Sequence, residues 1–237
     1  MTPPQTTRSQ KTSSETISSK TATSETTVPA PRPWYVSALA GLLAVLLLLG
    51  GVWAYTRLKS PFPYYGTLYD TPQPAASVTG LSMVGSVVTP TTTTLKGGKT
   101  TALFFGFTRC PDVCPATLAY LERVRQAMTP AEQATFQVLF VSLDPARDTP
   151  QKIAGYLKYF GEAQGLQVKE PALATLARSY GVSYIKAPLP GGGYQINHTS
   201  ATFLIDAAGN RRLLWDYTQL TDTKRVLNDI REVRGND

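Results

Sequence analysis

The sequence is poor in the residues that build most metal and disulfide sites, with one histidine and two cysteines among 237 residues. A single histidine excludes zinc and copper sites that need several imidazoles. Two cysteines exclude both a four-cysteine zinc module and a disulfide-stapled miniprotein. Charged residues are also scarce, at 16% against 42% hydrophobic residues, and this apolar content excludes a fully disordered chain.

The net charge of +7 is concentrated near the N-terminus. Residues 1–59 contain six of the 23 Lys and Arg but only two of the 16 Asp and Glu, so more than half of the excess lies there. Nucleic-acid binding needs Lys and Arg clustered on one face of a fold, and residues 60–237 contain no such run. The composition therefore predicts no nucleic-acid partner.

The N-terminal region combines a polar tail with one apolar segment. Residues 1–33 are rich in Thr, Ser and Pro, which predicts a disordered tail. Residues 34–55 contain no charge. As a helix rising about 1.5 Å per residue they would extend roughly 33 Å, enough to cross a bilayer core of about 30 Å. Trp and Tyr residues at both ends suit the two headgroup regions and favour a transmembrane helix.

A cleaved signal peptide is the alternative for this segment. Its apolar run exceeds the ~7–15 residues of a signal peptide and follows a long tail, so an uncleaved single-pass anchor is preferred. The positive-inside rule does not orient it, because Lys20 and Arg32 before the span balance Arg57 and Lys59 after it. The orientation must follow from the chemistry of the domain.

A linker rich in Pro and Gly is predicted over residues 56–80, and a folded domain over residues 81–237. In that domain the apolar runs 101–107 and 136–142 predict strands buried on both faces, joined by a helix. Strand–helix–strand units imply a parallel crossover connection. Further helices are predicted at 150–160, 171–180 and 222–233, and further strands at 81–88, 91–94, 182–187, 201–206 and 211–215. The expected fold is α/β, a mixed sheet with helices on both faces.

Two cysteines lie four residues apart in the segment GFTRCPDVCP, at the junction between a predicted strand and the next helix. If the helix begins near Cys110, Cys110 and Cys114 lie on one side with Cβ atoms about 5–6 Å apart. This geometry is compatible with a disulfide or with a shared metal ion. The helix N-terminus and the adjacent Arg109 favour thiolate, which predicts lowered pKa values for the cysteines. Two inert core cysteines are the alternative.

His198 precedes the predicted strand 201–206, which a shared sheet could bring close to the cysteines. A single histidine taken alone is more often a surface or hydrogen-bonded residue than a ligand. Two thiolates and one imidazole form a soft ligand set suited to Cu(I), and with a fourth ligand to Cu(II) or zinc. Zinc normally takes four protein ligands, and the sequence has no further Cys or His to supply the fourth. Met83 could supply a thioether, but it occupies an apolar strand position that is typical of a packed side chain.

A third polar segment, VSLDPARDTP, follows the second buried strand and opens on the same sheet edge. Asp148 or Thr149 is expected to cap the next helix. Asp144 and Arg147 are candidates for lining the site, and a structural role for Asp144 is equally consistent with the sequence.

In these segments the chain resembles the Sco (SenC) family of membrane-anchored copper-binding proteins with a thioredoxin fold. The resemblance spans roughly residues 81–235. It rests on FFGFTRCPDVCPATL at 104–118, VSLDPARDTP at 141–150 and the single histidine at 198. It implies a thioredoxin-like mixed sheet flanked by helices and a domain on the extracytoplasmic side of the cytoplasmic membrane.

The resemblance also implies the ligands and the role. Copper, as Cu(I) or Cu(II), would be bound by Cys110, Cys114 and His198. The protein would deliver copper to the binuclear copper site of cytochrome c oxidase subunit II, or prepare the cysteines of that site or of another copper or thiol acceptor. The family often has Asp before this histidine, whereas here Asn197 can hydrogen-bond but carries no charge.

A metallochaperone is therefore favoured, and a thiol–disulfide reductase activity is compatible with the same residues. The alternative is a metal-free thiol–disulfide oxidoreductase, with Cys110 and Cys114 as the redox pair and His198 dispensable. Their spacing departs from the C-x-x-C of thioredoxin-like redox proteins. A peroxidase-type thiol enzyme, with one attacking and one resolving cysteine, is a further and weaker hypothesis.

Overall fold

The computed structural model describes residues 33–59 and 62–235, which belong to two compact units divided near residue 60. The tail predicted over residues 1–33 lies, except for its last residue, outside the described residues. The first unit contains one helix, α1 (Trp34–Lys59). Its segment Trp34–Thr56 is long and apolar enough to cross a membrane, by length and composition. The apolar segment predicted over residues 34–55 is thus a single helix.

The second unit alternates strands and helices. Its elements are β1 (Thr67–Pro74), β2 (Val78–Val84), β3 (Val87–Thr93), β4 (Thr100–Gly106), α2 (Val113–Gln126), α3 (Pro130–Ala134), β5 (Phe136–Ser142), α4 (Pro150–Leu157), β6 (Gln164–Gln167), α5 (Ala172–Ser179), β7 (Tyr184–Pro188), β8 (Tyr194–His198), β9 (Thr202–Ile205), β10 (Asn210–Trp215) and α6 (Thr223–Gly235). A short 3₁₀ turn, Gln219–Thr221, precedes the last helix.

Eight of these strands form one mixed sheet in the order β1-β10-β9-β4-β5-β6-β2-β3, and β7 and β8 form a separate antiparallel hairpin. The three strands β4, β5 and β6 run parallel, and their neighbours on both sides run antiparallel. The mixed α/β sheet predicted from the sequence is confirmed.

Apolar side chains cover both faces of the sheet, because β4 and β5 are almost uninterrupted apolar runs. Every residue of β4 is buried. One core cluster packs α2, α4 and α6 on the face that includes Phe104 and Phe140, and the other packs α5 on the face of Leu103 and Phe105. Burial of each such side chain contributes about 1.5–3 kcal/mol to the stability of the fold. The central strands therefore fix the positions of the loops at their ends.

The linker predicted over residues 56–80 is wrong for most of its length. β1 pairs with β10, β2 pairs with β3, and the backbone N–H of Tyr65 donates to Asp229 of α6 at 2.9 Å. β1 lies at the sheet edge with nearly all its side chains exposed, so its polar sequence carries no alternating apolar pattern. The folded unit therefore begins well before residue 81.

The first hairpin also differs from the prediction. Its turn lies at Gly85, whose φ of 59° is in the left-handed region that favours glycine. Pro90, expected to separate the two strands, lies inside β3 and opposite Leu81. β3 is an edge strand of the sheet. A proline is tolerated there because its missing backbone N–H can face away from the sheet, where no strand needs it as a donor.

Candidate metal centre

Cys110 and Cys114 lie where β4 ends and α2 begins, at the sheet edge where α/β folds place their sites. α2 begins at Val113, so Cys110 precedes the helix and Cys114 is its second residue. The helix therefore does not begin near Cys110, which is the condition for the geometry expected of the two cysteines. The reason is Pro111, because a residue that precedes proline is disfavoured in the α region.

The sulfur of Cys110 instead caps the helix. The backbone N–H of Cys114 donates to Cys110 Sγ at 3.4 Å, whereas Asp112 at the N-cap position makes no side-chain cap bond to the described residues. Cys110 Sγ therefore lies at the positive end of the helix, which favours its thiolate form. Both cysteines are free, with Cys110 half-buried and Cys114 buried.

His198 is the last residue of β8 in the separate hairpin, and the strand that it precedes, β9, lies in the main sheet beside β4. Its Nε2 lies 3.6 Å from Cys114 Sγ, and its Nδ1 lies 2.8 Å from the carbonyl oxygen of Thr199. Because a carbonyl oxygen only accepts, Nδ1 carries the hydrogen and Nε2 turns its lone pair toward the sulfurs. Edge-on contacts with the rings of Phe104 and Phe107 hold the imidazole in place.

The ligand atoms of Cys110, Cys114 and His198 all lie within 4.8 Å of one another. Three ligands spaced evenly at about 2.3 Å from one ion lie about 4 Å apart, so a closure of less than about 1 Å would complete a three-ligand site. Two sulfurs and one imidazole suit a soft or borderline ion such as copper. Met83 lies on β2, separated from β4 by β5 and β6, where it packs near α4.

The two thiols differ in protonation. A hydrogen bond with the Cys114 thiol lowers the pKa of Cys110 to about 4 against the effect of burial, and the backbone N–H groups of Asp112 and Cys114 lower it further. The same hydrogen bond with Cys110, together with burial, raises the pKa of Cys114 above its ordinary value. The pair thus holds one proton between its sulfurs at neutral pH. The sequence predicts a lowered pKa for both cysteines. This prediction is confirmed for Cys110, although Arg109 is not among the groups that lower its pKa. It is wrong for Cys114, whose pKa is raised.

Gly106, the last residue of β4, gives the Cys114 sulfur its space. A Cβ added at this position would lie 2.9 Å from Cys114 Sγ, 2.8 Å from the ring of Phe104 and 2.9 Å from the ring of Phe140. Any other residue would force the sulfur or the aromatic rings to move.

Asp148 fixes the cysteine loop and does not cap a helix. Its buried carboxylate accepts hydrogen bonds from the Thr108 backbone N–H at 2.9 Å, the Thr108 hydroxyl at 2.6 Å and the Ser142 hydroxyl at 2.6 Å. Thr149 caps α4, since its side chain accepts from the backbone N–H of Lys152 at 3.3 Å. The bonds of Asp148 connect the loop that leads to Cys110 with the end of β5.

Asp144, which is buried, and Arg147, which is partly buried, form an ion pair next to the hairpin that carries His198. The Tyr194 hydroxyl donates to Asp144 Oδ1 at 2.7 Å, and Arg147 Nη1 donates to the Tyr194 carbonyl oxygen at 2.7 Å. Sequence reasoning identified Asp144 and Arg147 as candidates but missed Tyr194. The tyrosine belongs to no local motif with them, and only the fold brings the three residues together.

A protein-family model described as SCO1/SenC matches residues 82–234, well over half of the chain. The chain is 33% identical over 142 residues to "Protein SCO1 homolog 1, mitochondrial" of Arabidopsis thaliana, covering 58% of this chain and 42% of that protein. It is 32% identical over 174 residues to "Protein SCO2, mitochondrial" of Saccharomyces cerevisiae, covering 70% and 58%. The chain thus spans about half the length of the curated relatives that it matches.

Solved structures of related proteins share the fold. The solution structure of apo Sco1 from Thermus thermophilus is 35% identical with a TM-score of 0.63, covering 73% of this chain and 99% of that one. The crystal structure of Arabidopsis thaliana ScoI with copper bound is 30% identical with a TM-score of 0.56, covering 67% and 98%. Bradyrhizobium japonicum ScoI with copper bound is 32% identical with a TM-score of 0.54, covering 64% and 98%. The predicted thioredoxin-like architecture is confirmed.

Proposed function

The chain belongs to the SCO1/SenC family, and on this premise we propose that Cys110, Cys114 and His198 bind one copper ion. The observation that carries the proposal is the clustering of these three ligand atoms within 4.8 Å, with the His198 lone pair turned toward the sulfurs. Copper-bound structures of relatives at 30% and 32% identity support copper as the metal. The thiolates favour Cu(I), and the imidazole accommodates Cu(II) as well.

The proposed role is to carry copper and hand it to an acceptor. Three protein ligands leave a coordination position open for a ligand of the acceptor. Cys110 is half-buried and precedes the helix, so an acceptor thiolate can approach on its side while Cys114 and His198 still hold the ion. We propose that the acceptor is the binuclear copper site of cytochrome c oxidase subunit II, or another protein with copper-binding thiols.

We further propose that α1 anchors the chain as a single span of the cytoplasmic membrane, with the metal-binding domain on the extracytoplasmic side. The apolar segment Trp34–Thr56, with aromatic residues at both ends, supports the anchor. The extracytoplasmic position of the domain is proposed because the domain must reach the proposed acceptor on that side of the membrane. In spheroplasts, added protease should digest the domain; protection of the domain until the membrane is lysed would contradict this orientation.

The copper site is tested by titrating the reduced full-length protein in detergent with Cu(I) against a chromophoric chelator, without oxygen. We expect one copper per chain and a markedly weaker affinity in Cys110→Ala, Cys114→Ala and His198→Ala. Met83→Leu is the matched control, because it removes a soft sulfur on a different strand. Unchanged affinity in all three ligand variants would contradict the proposal.

A second candidate function, reduction of acceptor disulfides, is favoured by the free thiols and the lowered pKa of Cys110. The Cys110 thiolate would attack a partner disulfide and release one partner thiolate. Cys114, losing its proton, would then attack Cys110 Sγ, which leaves a Cys110–Cys114 disulfide and a reduced partner. An external dithiol would be needed to restore the pair. His198→Ala separates the two functions, because it should weaken copper binding and leave thiol exchange largely intact.

A further inference from the structure

The hairpin that carries His198 stands apart from the main sheet. Within the part of the chain that the structure describes, β7 and β8 pair only with each other. A two-stranded hairpin is at best marginally stable by itself, so other contacts must hold it against the domain. Residues 194, 196 and 198 alternate along β8 and face the same side, and Ile196 is buried in the core cluster of α2 and α4.

The other end of β8 is held by polar contacts of Tyr194. Its hydroxyl donates to Asp144 Oδ1 at 2.7 Å, and its carbonyl oxygen accepts from Arg147 Nη1 at 2.7 Å. The guanidinium of Arg147 also stacks on the Tyr194 ring, 3.7 Å from the ring centroid. Asp144 and Arg147 are themselves paired, so each of the three residues binds the other two. Asp144 is fully buried, whereas Arg147 and Tyr194 are partly exposed, so this anchor extends from the interior to the surface.

This anchor continues as hydrogen bonds into the cysteine loop. The backbone N–H of Asp144 donates to Ser142 Oγ at 3.0 Å, and Ser142 in turn donates to Asp148 at 2.6 Å. Asp148 accepts from Thr108, two residues before Cys110. An unbroken series of bonds therefore runs from the loop that holds one ligand to the hairpin that holds another.

We propose that Arg147 and Tyr194 are positioning residues for His198. Together with Asp144 they hold the start of β8 against the end of β5, and so keep Nε2 at the far end of β8 directed at the two sulfurs. The role in copper binding rests on the proposed function, but the position of His198 can be tested without metal. Neither residue is a ligand, so both act through the histidine.

The metal-free test uses the fact that His198 is the only histidine of the chain. Diethylpyrocarbonate gives carbethoxyhistidine, whose absorbance near 240 nm, reversed by hydroxylamine, then reports this residue alone. In the full-length protein we expect Arg147→Gln and Tyr194→Phe to be modified several-fold faster than the wild type. Arg212→Gln is the matched control, since it breaks an ion pair of similar burial, with Asp206. Equal rates in all four proteins would overturn the positioning role.

The copper test is a double-mutant cycle. We expect Arg147→Gln to weaken Cu(I) binding by roughly tenfold, the lower end of the range for groups that orient a metal ligand, and Tyr194→Phe by less. In the His198→Ala background neither change should weaken binding further, whereas a merely structural role would give the same loss in both backgrounds. Arg147→Lys keeps the positive charge but loses the planar guanidinium with its several N–H donors. Its Cu(I) affinity should therefore lie between those of the wild type and Arg147→Gln.

The outcomes distinguish the three-ligand copper site from the positioning role of Arg147 and Tyr194. If His198→Ala binds copper as tightly as the wild type, the three-ligand site is wrong, and the modification rates still decide whether Arg147 and Tyr194 position the histidine. If His198 contributes to affinity but the losses in Arg147→Gln persist in its absence, the positioning claim is wrong and the copper site stands. Circular dichroism of each variant shows whether the fold is retained.

Discussion

Cys110 and Cys114 carry the same side chain but differ in charge because of where each sulfur lies. Cys110 Sγ caps a helix and accepts from the Cys114 backbone N–H, while Cys114 is buried against β4. A second negative charge would lie next to the first with little water to screen it. A metal ion removes this conflict, because its positive charge compensates both thiolates. We therefore expect both thiols to be deprotonated together only when a cation is bound between them.

The first prediction is that Cys110 of the metal-free protein reacts as a thiolate over the whole neutral range. Its lowered pKa, about 4, means that the rate of alkylation by iodoacetamide should hardly change between pH 6 and 8. An ordinary thiol with a pKa of about 8.5 would accelerate by roughly two orders of magnitude over that interval. Peptide mapping after short labelling measures the rate at each cysteine. A steep rise for Cys110 across this range would contradict the account.

The second prediction concerns Gly106. Gly106→Ala places a Cβ within 3 Å of the Cys114 sulfur and two aromatic rings, and overpacking of this kind costs about 1–3 kcal/mol. We expect a loss of that size in the free energy of unfolding, measured by denaturant titration, together with weaker copper binding. Gly155→Ala on α4 is the control, because an added Cβ there has no described atom within 4 Å and should stabilise the helix by up to ~1 kcal/mol.

At the scale of elements, the sequence predicts those parts that local patterns determine. β4 and β5 are placed to within one residue because both are apolar runs buried on both faces. β1, β6 and β8 are not predicted, for different reasons. β1 exposes its side chains, β6 has only four residues, and β8 has five residues of which only Ile196 is buried. The three proposed ligands are predicted from residue type, from the spacing of the two cysteines and from the family resemblance. Their anchors, such as Tyr194, depend on contacts that only the folded chain creates.

The third prediction tests the early start of the folded unit. The buried carboxylate of Asp229 on α6 accepts from the backbone N–H groups of Tyr65 and Gly66 and from Trp215 Nε1, each at 2.9 Å. Asp229→Ala leaves all three donors without this acceptor, at about 1–3 kcal/mol for each one that stays buried. We therefore expect a loss of several kcal/mol in the free energy of unfolding.

Lys224→Ala provides the comparison for that experiment. It changes an exposed side chain on the same helix, and a surface substitution of this kind usually changes stability by less than about 0.5 kcal/mol. If Asp229→Ala were no more destabilising than Lys224→Ala, these bonds would not hold residues 65–66 to the folded unit, and the early start of the unit at these residues would be contradicted.

At the scale of the whole folded unit, the proposed copper site joins two separately built parts. Cys110 belongs to the loop between β4 and α2, Cys114 belongs to the first turn of α2, and His198 belongs to the β7–β8 hairpin. A metal ion bound by all three residues would therefore connect the hairpin to the main sheet. Binding to the folded state alone stabilises it by about 4 kcal/mol at a thousandfold excess over the dissociation constant. The unfolding temperature should rise on copper loading, and less so in His198→Ala.

The most direct test of the account is X-ray absorption spectroscopy of the full-length protein loaded with one equivalent of Cu(I), measured beside His198→Ala. We predict a copper ion with two sulfur ligands and one nitrogen ligand, and the loss of imidazole scattering in the variant. A spectrum with sulfur ligands alone, or one that is identical in the two proteins, would show that His198 is not a ligand and would contradict the three-residue copper site.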